Sequence, residues 1–376
     1  MGEDLHPVSL TKKLLSFNTI NPPGQERECA AYLGKLLKQG GFKVSFHEFD
    51  ESRTSLVARL RGGGPKAPLC FTGHMDTVPL GAKGWRVDPF AGEMDGDKLY
   101  GRGASDMKSG IAAMVNACLV AAEIPARRAD LTLILTAGEE TGSEGAAHLQ
   151  KHGNLPGECG ALVVGEPTSN YPLVGHKGSL WLELRTSGVT AHGSMPEKGV
   201  NAIYKAVDAV AKLRAFQFDA PPHAVLGAPT LNVGTISGGL NINSVPDQAT
   251  VGVDIRTIPG LPNSEVYEKI RSHIGGDLEI RRIVDLDSVI TDPEDGWMKE
   301  VFDLVEPFLG EAPVARGVSY FTDASVFSPA FSHAPTVILG PGEPAMAHKT
   351  DEFCHISRIN EAAQIYLDIA RRWCEA

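Results

Sequence analysis

Leu69-Cys70-Phe71-Thr72-Gly73-His74-Met75-Asp76 is an apolar run that stops on an imidazole and a carboxylate. A short apolar run closed by glycine predicts a buried strand. The figure recurs along the chain. Residues 131–136 form a second run, which leads to Glu139-Glu140. Residues 161–164 form a third, which leads to Glu166-Pro167, and 337–339 a further one, stopped by Gly340-Pro341-Gly342 and followed by His348. Helical patterns lie between them. Residues 25–39 set Cys29, Leu33, Leu36 and Leu37 on one face before Gly40-Gly41 ends the helix. Residues 108–123 are apolar almost all round, which predicts a helix buried against a sheet. Ile359, Ala362, Tyr366, Ile369 and Trp373 repeat near a 3.6 period in a C-terminal helix. Strands alternating with helices predict an α/β architecture. Gly62-Gly63-Gly64-Pro65 reads as a flexible turn between strands at 55–60 and 69–72.

Residues 178–287 read differently. Residues 180–186 alternate as a half-buried strand, and 198–213 form an amphipathic helix through Val200, Ile203, Val207 and Val210. Strands follow at about 230–236 and 249–255. The order strand–helix–strand–strand predicts a small α+β unit at 178–287, inserted into an α/β domain made of residues 1–177 and 288–376.

The chain has 376 residues, 42% of them hydrophobic, enough for a sizeable core in each of two domains. Asp and Glu number 46 against 35 Lys and Arg, a net charge of −11, which argues against nucleic-acid or anionic-membrane partners. Six cysteines without a C-x-x-C pair predict reduced thiols. The first residues lack a basic and an apolar region, so no signal peptide is expected. The stretch 111–122 is too short to span a bilayer. The expected location is the cytoplasm.

The chemistry gathers where strands end: His74 and Asp76, Asp106 before the buried helix, Glu139 and Glu140, Glu166, and His348. In an open α/β sheet these ends face one ligand crevice. Singly, each has a plainer role; Asp106, for instance, stands where an N-cap is useful. Together they concentrate negative charge that needs a positive partner. Two divalent cations would supply it.

These residues resemble the M20 metallopeptidases, within them the acetylornithine deacetylase and succinyl-diaminopimelate desuccinylase group. The matching segments are Gly73-His74-Met75-Asp76-Thr77-Val78-Pro79, Tyr100-Gly101-Arg102-Gly103 through Asp106-Met107-Lys108-Ser109-Gly110, Glu139-Glu140-Thr141-Gly142-Ser143, Gly165-Glu166-Pro167-Thr168, and Ala347-His348 before Asp351-Glu352. They run in the family's order over almost the whole chain. The resemblance implies a zinc-peptidase-like catalytic domain with a central mixed sheet and an inserted lid domain that dimerises. It also implies that His74 and Glu166 hold one metal, Glu140 and His348 the other, and Asp106 bridges them. Asp76 would hold the free ring nitrogen of His74, and Glu139 would be the general base. Ligation by imidazole and carboxylate without thiolate suits Zn²⁺, and also Co²⁺ or Mn²⁺.

In the insertion, Ala191-His192-Gly193-Ser194-Met195-Pro196 is similar to the family segment whose histidine contacts the substrate carbonyl oxygen. Gly238-Gly239-Leu240-Asn241-Ile242-Asn243-Ser244-Val245-Pro246 and Asp254-Ile255-Arg256 are similar to its substrate-binding segments, which carries Asn243 and Arg256 over. Arginine suits a substrate carboxylate, since its planar fork gives two parallel bonds. In the resembling dimeric desuccinylases the histidine reaches the partner's active site; a monomer would require this chain's own His192 to swing in. Gly175-His176-Lys177-Gly178, Phe321-Thr322-Asp323 and Gly340-Pro341-Gly342 look like acetylornithine deacetylase. Desuccinylases usually carry Arg-Arg-Gly-Ser and Thr-Ser-Asp there. The expected activity is therefore hydrolysis of an N-acyl amino acid, N-acetylornithine first. Aminoacylase, N-acetyl-diaminobutyrate deacetylase, desuccinylase or small-peptide carboxypeptidase activity are the alternatives, and an inactive metabolite-binding relative is a further one.

Overall fold

The computed structural model describes residues 5–125, 127–276 and 278–375. The chain divides into two compact units, a larger one of Met1–Gly175, Ile290–Arg316 and Thr322–Ala376, and a smaller one of His176–Val289 with Gly317–Phe321.

The larger unit is built on a six-stranded sheet in the order Lys43–Asp50, Arg53–Leu60, Ala129–Thr136, Lys66–His74, Ala161–Val164, Thr336–Ile338. The first two pairings are antiparallel and the rest parallel, so the sheet is mixed. Parallel strands need cover on both faces, which makes them near-continuous apolar runs. Leu69, Cys70, Phe71, Leu131, Leu133, Ile134 and Leu135 are accordingly all fully buried. Helix Ser109–Ala121 packs against Ile356–Glu375 and is buried nearly all round, as its composition predicts. Several elements escape the sequence reading, among them helices Pro7–Leu15, Glu144–Lys151 and Gly296–Leu309 and the edge strand Lys43–Asp50, whose residues are exposed or half-buried on both faces.

The glycine turn at 62–64 is tight rather than loose. A Cβ on Gly62 would lie 2.3 Å from the Ala129 carbonyl oxygen, and Gly63 N–H donates to the Arg127 carbonyl. Close backbone approach accounts for glycine there.

The smaller unit carries a four-stranded antiparallel sheet, ordered Thr230–Gly238, Gln248–Thr257, Gly178–Ser187, Leu278–Leu286. The expected strand–helix–strand–strand order stops short here. Helix Asn263–Ile274 and the fourth strand complete the unit. The first helix also begins later than expected, at Ala202, where the Asn201 side chain accepts from the Ile203 and Tyr204 N–H groups; residues 196–198 form a separate 3₁₀ turn. Its buried face is Ala202, Ala206, Ala209 and Leu213. The larger apolar residues Val200, Tyr204 and Val207 are exposed. Small side chains let the helix sit close to its sheet; of the predicted stripe, Val200 and Val207 are exposed and Ile203 and Val210 half-buried.

Candidate metal centre

Five polar side chains converge at the strand ends of the larger unit. His74 is the last residue of Lys66–His74 and pairs in register with Thr136, so the turn carrying Glu139 and Glu140 rises beside it. Gly165 N–H donates to Thr72 O, which brings Glu166 to the other side. A Cβ on Gly110 would lie 2.2 Å from the Gly165 carbonyl oxygen, so the bare glycine lets helix Ser109–Ala121 start against the strand end that delivers Glu166. Asp106 sits in a π-turn, Ala104–Lys108, with non-helical φ −121° and ψ 94°. It does not cap the following helix, which no side chain caps. His348 arrives from a late segment at φ 63°.

Asp106 lies between the two imidazoles. Its Oδ1 is 3.1 Å from His74 Nε2, and its Oδ2 is 3.4 Å from His348 Nε2. Glu166 Oε1 is 3.7 Å from His74 Nε2, and Glu140 Oε2 is 3.1 Å from His348 Nε2. Donor atoms of His74, Asp106 and Glu140 all fall within 4.8 Å of one another. The structure thus sets His74 beside Glu166 and His348 beside Glu140, with Asp106 between the two imidazoles. Glu139 is buried beside them.

The electrostatics are those of an acidic cluster. Burial pushes Glu139 and Glu166 well above the carboxylate range, and Glu140 up. Burial also acts to raise Asp106, but bonds from His348 and His74 hold it far below. Bonds to Asp106 and Glu140 push His348 up to about 10. Burial opposes the charged form of His74, yet Glu166, Asp106 and Asp76 carry it well above its ordinary value. The carboxylates draw both imidazoles toward the cationic form. Glu140 Oε1 is buried and takes no hydrogen bond among the described residues.

Asp76 differs in detail from expectation. His74 Nδ1 lies 3.0 Å from the Asp76 carbonyl oxygen but 3.6 Å from its carboxylate. The carboxylate instead accepts from the N–H groups of Gly138, Glu139 and Glu140, and from Asn21 Nδ2 at 2.9 Å. It holds the turn that presents the two glutamates.

Three residues the sequence reading passed over join the site. Asn21 is buried and spans Asp76 and Thr141 Oγ1. Asp323 accepts from Thr136 Oγ1 behind the glutamate turn, and burial pushes it up to about 6. Glu352 is fully buried, with Arg102 Nη1 2.6 Å away, and burial pushes it up to about 7. Glu352, beside Asp351, and Asp323, in Phe321-Thr322-Asp323, stand in segments the sequence reading quoted without giving them a role; Asn21 carried no sequence signal.

His192, Asn243 and Arg256 lie in the smaller unit. His192 is exposed, its Nδ1 2.7 Å from Ser194 Oγ. Gly193 N–H donates to Asn243 O, so the His192 and Asn243 segments run side by side. Arg256 stands near the far end of strand Gln248–Thr257, its Nε 2.9 Å from Asp254 Oδ1.

Comparison with known proteins gives the same motifs a family. Residues 70–372 match the model of peptidase family M20/M25/M40. A probable succinyl-diaminopimelate desuccinylase of Staphylococcus epidermidis is 31% identical, covering 98% of each chain. An acetylornithine deacetylase of Pasteurella multocida is 30% identical over 91% of this chain and 90% of its own. Among solved structures, an M20 family metallo-carboxypeptidase from Sulfolobus solfataricus superposes with TM-score 0.83 at 19% identity, covering 99% of both chains. A dinuclear metal-binding M20 peptidase from Bacillus subtilis gives 0.72 at 16%, covering 98% of both. From its motifs, its mixed α/β sheet and these full-length relatives, the chain belongs to peptidase family M20/M25/M40 and is a metal-dependent amide hydrolase.

Proposed function

We propose that the protein is a dinuclear metal enzyme that releases the acyl group of an N-acyl amino acid, N-acetylornithine foremost. The observation that carries this is Asp106, whose two oxygens face two imidazoles, each with its own glutamate. The donor set fits two divalent ions: imidazole and carboxylate, no thiolate, and a spare buried oxygen on Glu140. His74 and Glu166 would hold one ion, Glu140 and His348 the other, with Asp106 shared. Zn²⁺ suits these donors best, and Co²⁺ or Mn²⁺ also fit. When bound, the pair supplies Lewis-acid polarisation and acidifies water toward neutral pH.

The chain's own residues do the rest. Glu139, held through its backbone N–H by Asp76, takes the proton of the attacking water and returns one to the departing amine. His192 would donate to the developing oxyanion, while Asn243 and Arg256 bind the substrate. Arg256 is paired with Asp254, so a substrate carboxylate must compete for its fork.

The smaller unit would act as lid and homodimer contact. Its edge strand Thr230–Gly238 pairs on one side only. Exposed Tyr204, Val207, Ile236, Leu240 and Ile242 belong to the same unit, and such apolar exposure marks an association surface. The placement of the substrate residues supports action across that dimer. Strand Gln248–Thr257 separates Arg256 from the Asn243 side, and its eight residue steps from Gln248 to Arg256 span about 27 Å. One small substrate cannot touch both ends of that strand, so His192 and Arg256 would serve it from different copies.

Succinyl-diaminopimelate is the second substrate to weigh, because a relative bearing that name matches over the full length. His176-Lys177 in place of the two arginines argues against it. A panel of N-acetylornithine, N-acetylmethionine and N-succinyl-diaminopimelate, assayed with Zn²⁺ and Co²⁺, tests the reading. N-acetylornithine is expected to give the highest kcat/KM. Cytoplasmic action fits the six free cysteines, five of them buried. No helix among the described residues is long and apolar enough to cross a membrane.

A further inference from the structure

Glu352 accepts more hydrogen bonds than an ordinary buried ion-pair partner needs. Its Oε1 takes the N–H groups of Ser105 at 2.8 Å and Asp106 at 3.0 Å. Its Oε2 takes Gly103 N–H at 3.0 Å and Arg102 Nη1 at 2.6 Å. Three backbone donors from one short arc therefore point at a single carboxylate. Such an arc needs residues out of helical conformation, and Gly103 at φ 89° and Asp106 at φ −121° supply them. The same segment reaches back a second time: Ser105 Oγ donates to Phe353 O and accepts from Glu343 N–H. His348 lies between those two contacts in sequence. The clamp thus fixes Asp106 against the very segment that brings His348, across 246 residues of chain.

We propose that Glu352 is a positioning residue for Asp106, holding the 103–106 arc so that the two Asp106 oxygens face His74 and His348 at once. This rests on the reading of Asp106 as the shared metal ligand. The chemistry asks for an acceptor at both oxygens. Glutamine keeps the shape but puts an NH₂ against either the Ser105 and Asp106 N–H pair or the Gly103 N–H and Arg102 guanidinium. In either orientation two donors lose their acceptor and the arc must shift.

The test is divalent-metal affinity, measured on metal-free protein by competition with a chromophoric chelator for Zn²⁺, beside kcat, KM and thermal stability. Glu352→Gln is expected to bind Zn²⁺ about 10–100-fold more weakly and to lose kcat to a similar degree, as residues supporting metal ligands do, with KM little changed. Thr291→Val is the control, a buried hydroxyl of the same unit that donates to Thr336 O and accepts from Thr336 N–H, at the start rather than the end of strand Thr336–Ile338. It is expected to lower thermal stability while Zn²⁺ affinity stays. Wild-type affinity in folded Glu352→Gln, or an equal loss in Thr291→Val, overturns the positioning role. If Glu352→Gln does not fold, Ser105→Ala cuts the second tie of the same clamp. A several-fold loss of Zn²⁺ affinity then supports the proposal, and unchanged affinity overturns it. Failure of wild-type protein to bind Zn²⁺ at all would instead strike the metal-centre reading beneath it.

Discussion

The larger unit holds Asp76, Glu139, Glu166 and Glu352 almost wholly out of water, whereas the smaller unit leaves Tyr204, Val207, Ile236, Leu240 and Ile242 in it. Each runs against the ordinary partition, in which carboxylates face solvent and large apolar groups do not. Buried carboxylates are costly unless paired, so their concentration marks a place built for cations. Exposed hydrocarbon on the helix, the edge strand and the loop that follows it is the mark of an association surface. On the function proposed above, the first would be completed by ions and the second by another copy of the chain.

The comparison breaks first on the metal. Exhaustive removal of divalent ions is expected to abolish turnover, and active protein is expected to carry about two ions per chain, read by elemental analysis. Full activity in metal-free protein would leave the buried carboxylates without their explanation. Next in size is the glutamate pair. Glu139→Gln is expected to retain metal and lose kcat by about 10²–10⁴-fold, while Glu140→Gln loses metal as well. An exchange of the two phenotypes would reverse their roles.

The smaller unit is tested by mixing two inactive proteins, Glu139→Gln and His192→Ala, under subunit exchange. If His192 serves the partner's site, half the dimers are mixed and each has one intact site. About a quarter of wild-type activity then returns, given random assortment about the two-fold axis. No recovery in proven mixed dimers would put His192 back in its own subunit. Arg256→Lys should lower kcat/KM roughly tenfold or more for a free carboxylate substrate, since lysine lacks the fork. Amidated analogues should suffer little further. Equal losses on both would remove the carboxylate contact.

The smallest effect concerns His176, fully buried in the smaller unit with Nδ1 near Lys177 O. Burial pushes its imidazole down to about 4. Above pH 6.5 it is neutral folded or unfolded and has no effect on stability. As pH falls from 6.5 to 4 the unfolded chain takes the proton first, so stability drops, by up to about 3 kcal/mol. His176→Gln does not titrate. Denaturant melts of both proteins across that range should show the variant losing less, and parallel curves would show that the imidazole is not buried neutral.

Much of the larger unit was legible because double-sided burial writes itself as unbroken apolar runs, as at 131–136. The five candidate ligands were legible too: His74, Glu140, Glu166 and His348 stand at or after the ends of such runs, and Asp106 stands before a helix that is apolar nearly all round. Lys43–Asp50 was not, since an edge strand exposed on both faces has no such pattern. Glu352 and Asn21 escaped because they act on backbone N–H groups or on another side chain from afar, which leaves no spacing to read. The stripe Val200, Ile203, Val207 and Val210 was legible as an apolar face inviting self-association, but the alanine face beneath it was not. Periodicity tells which residues share a face, and alanine at Ala202, Ala206 and Ala209 decided which face the sheet took.

The insertion also sets a timetable. Strand Thr336–Ile338, His348 and Glu352 all follow the smaller unit in the chain. Glu352 is synthesised 246 residues after Asp106, roughly 12–50 s later at about 5–20 residues per second. During that interval a nascent chain carries the acidic half of the centre without the histidine and the clamp that finish it. Contacts between residues so far apart are slow to form. The larger unit can therefore close only when its last segment has left the ribosome, and its final strand and helix, rather than its first, govern when it becomes native.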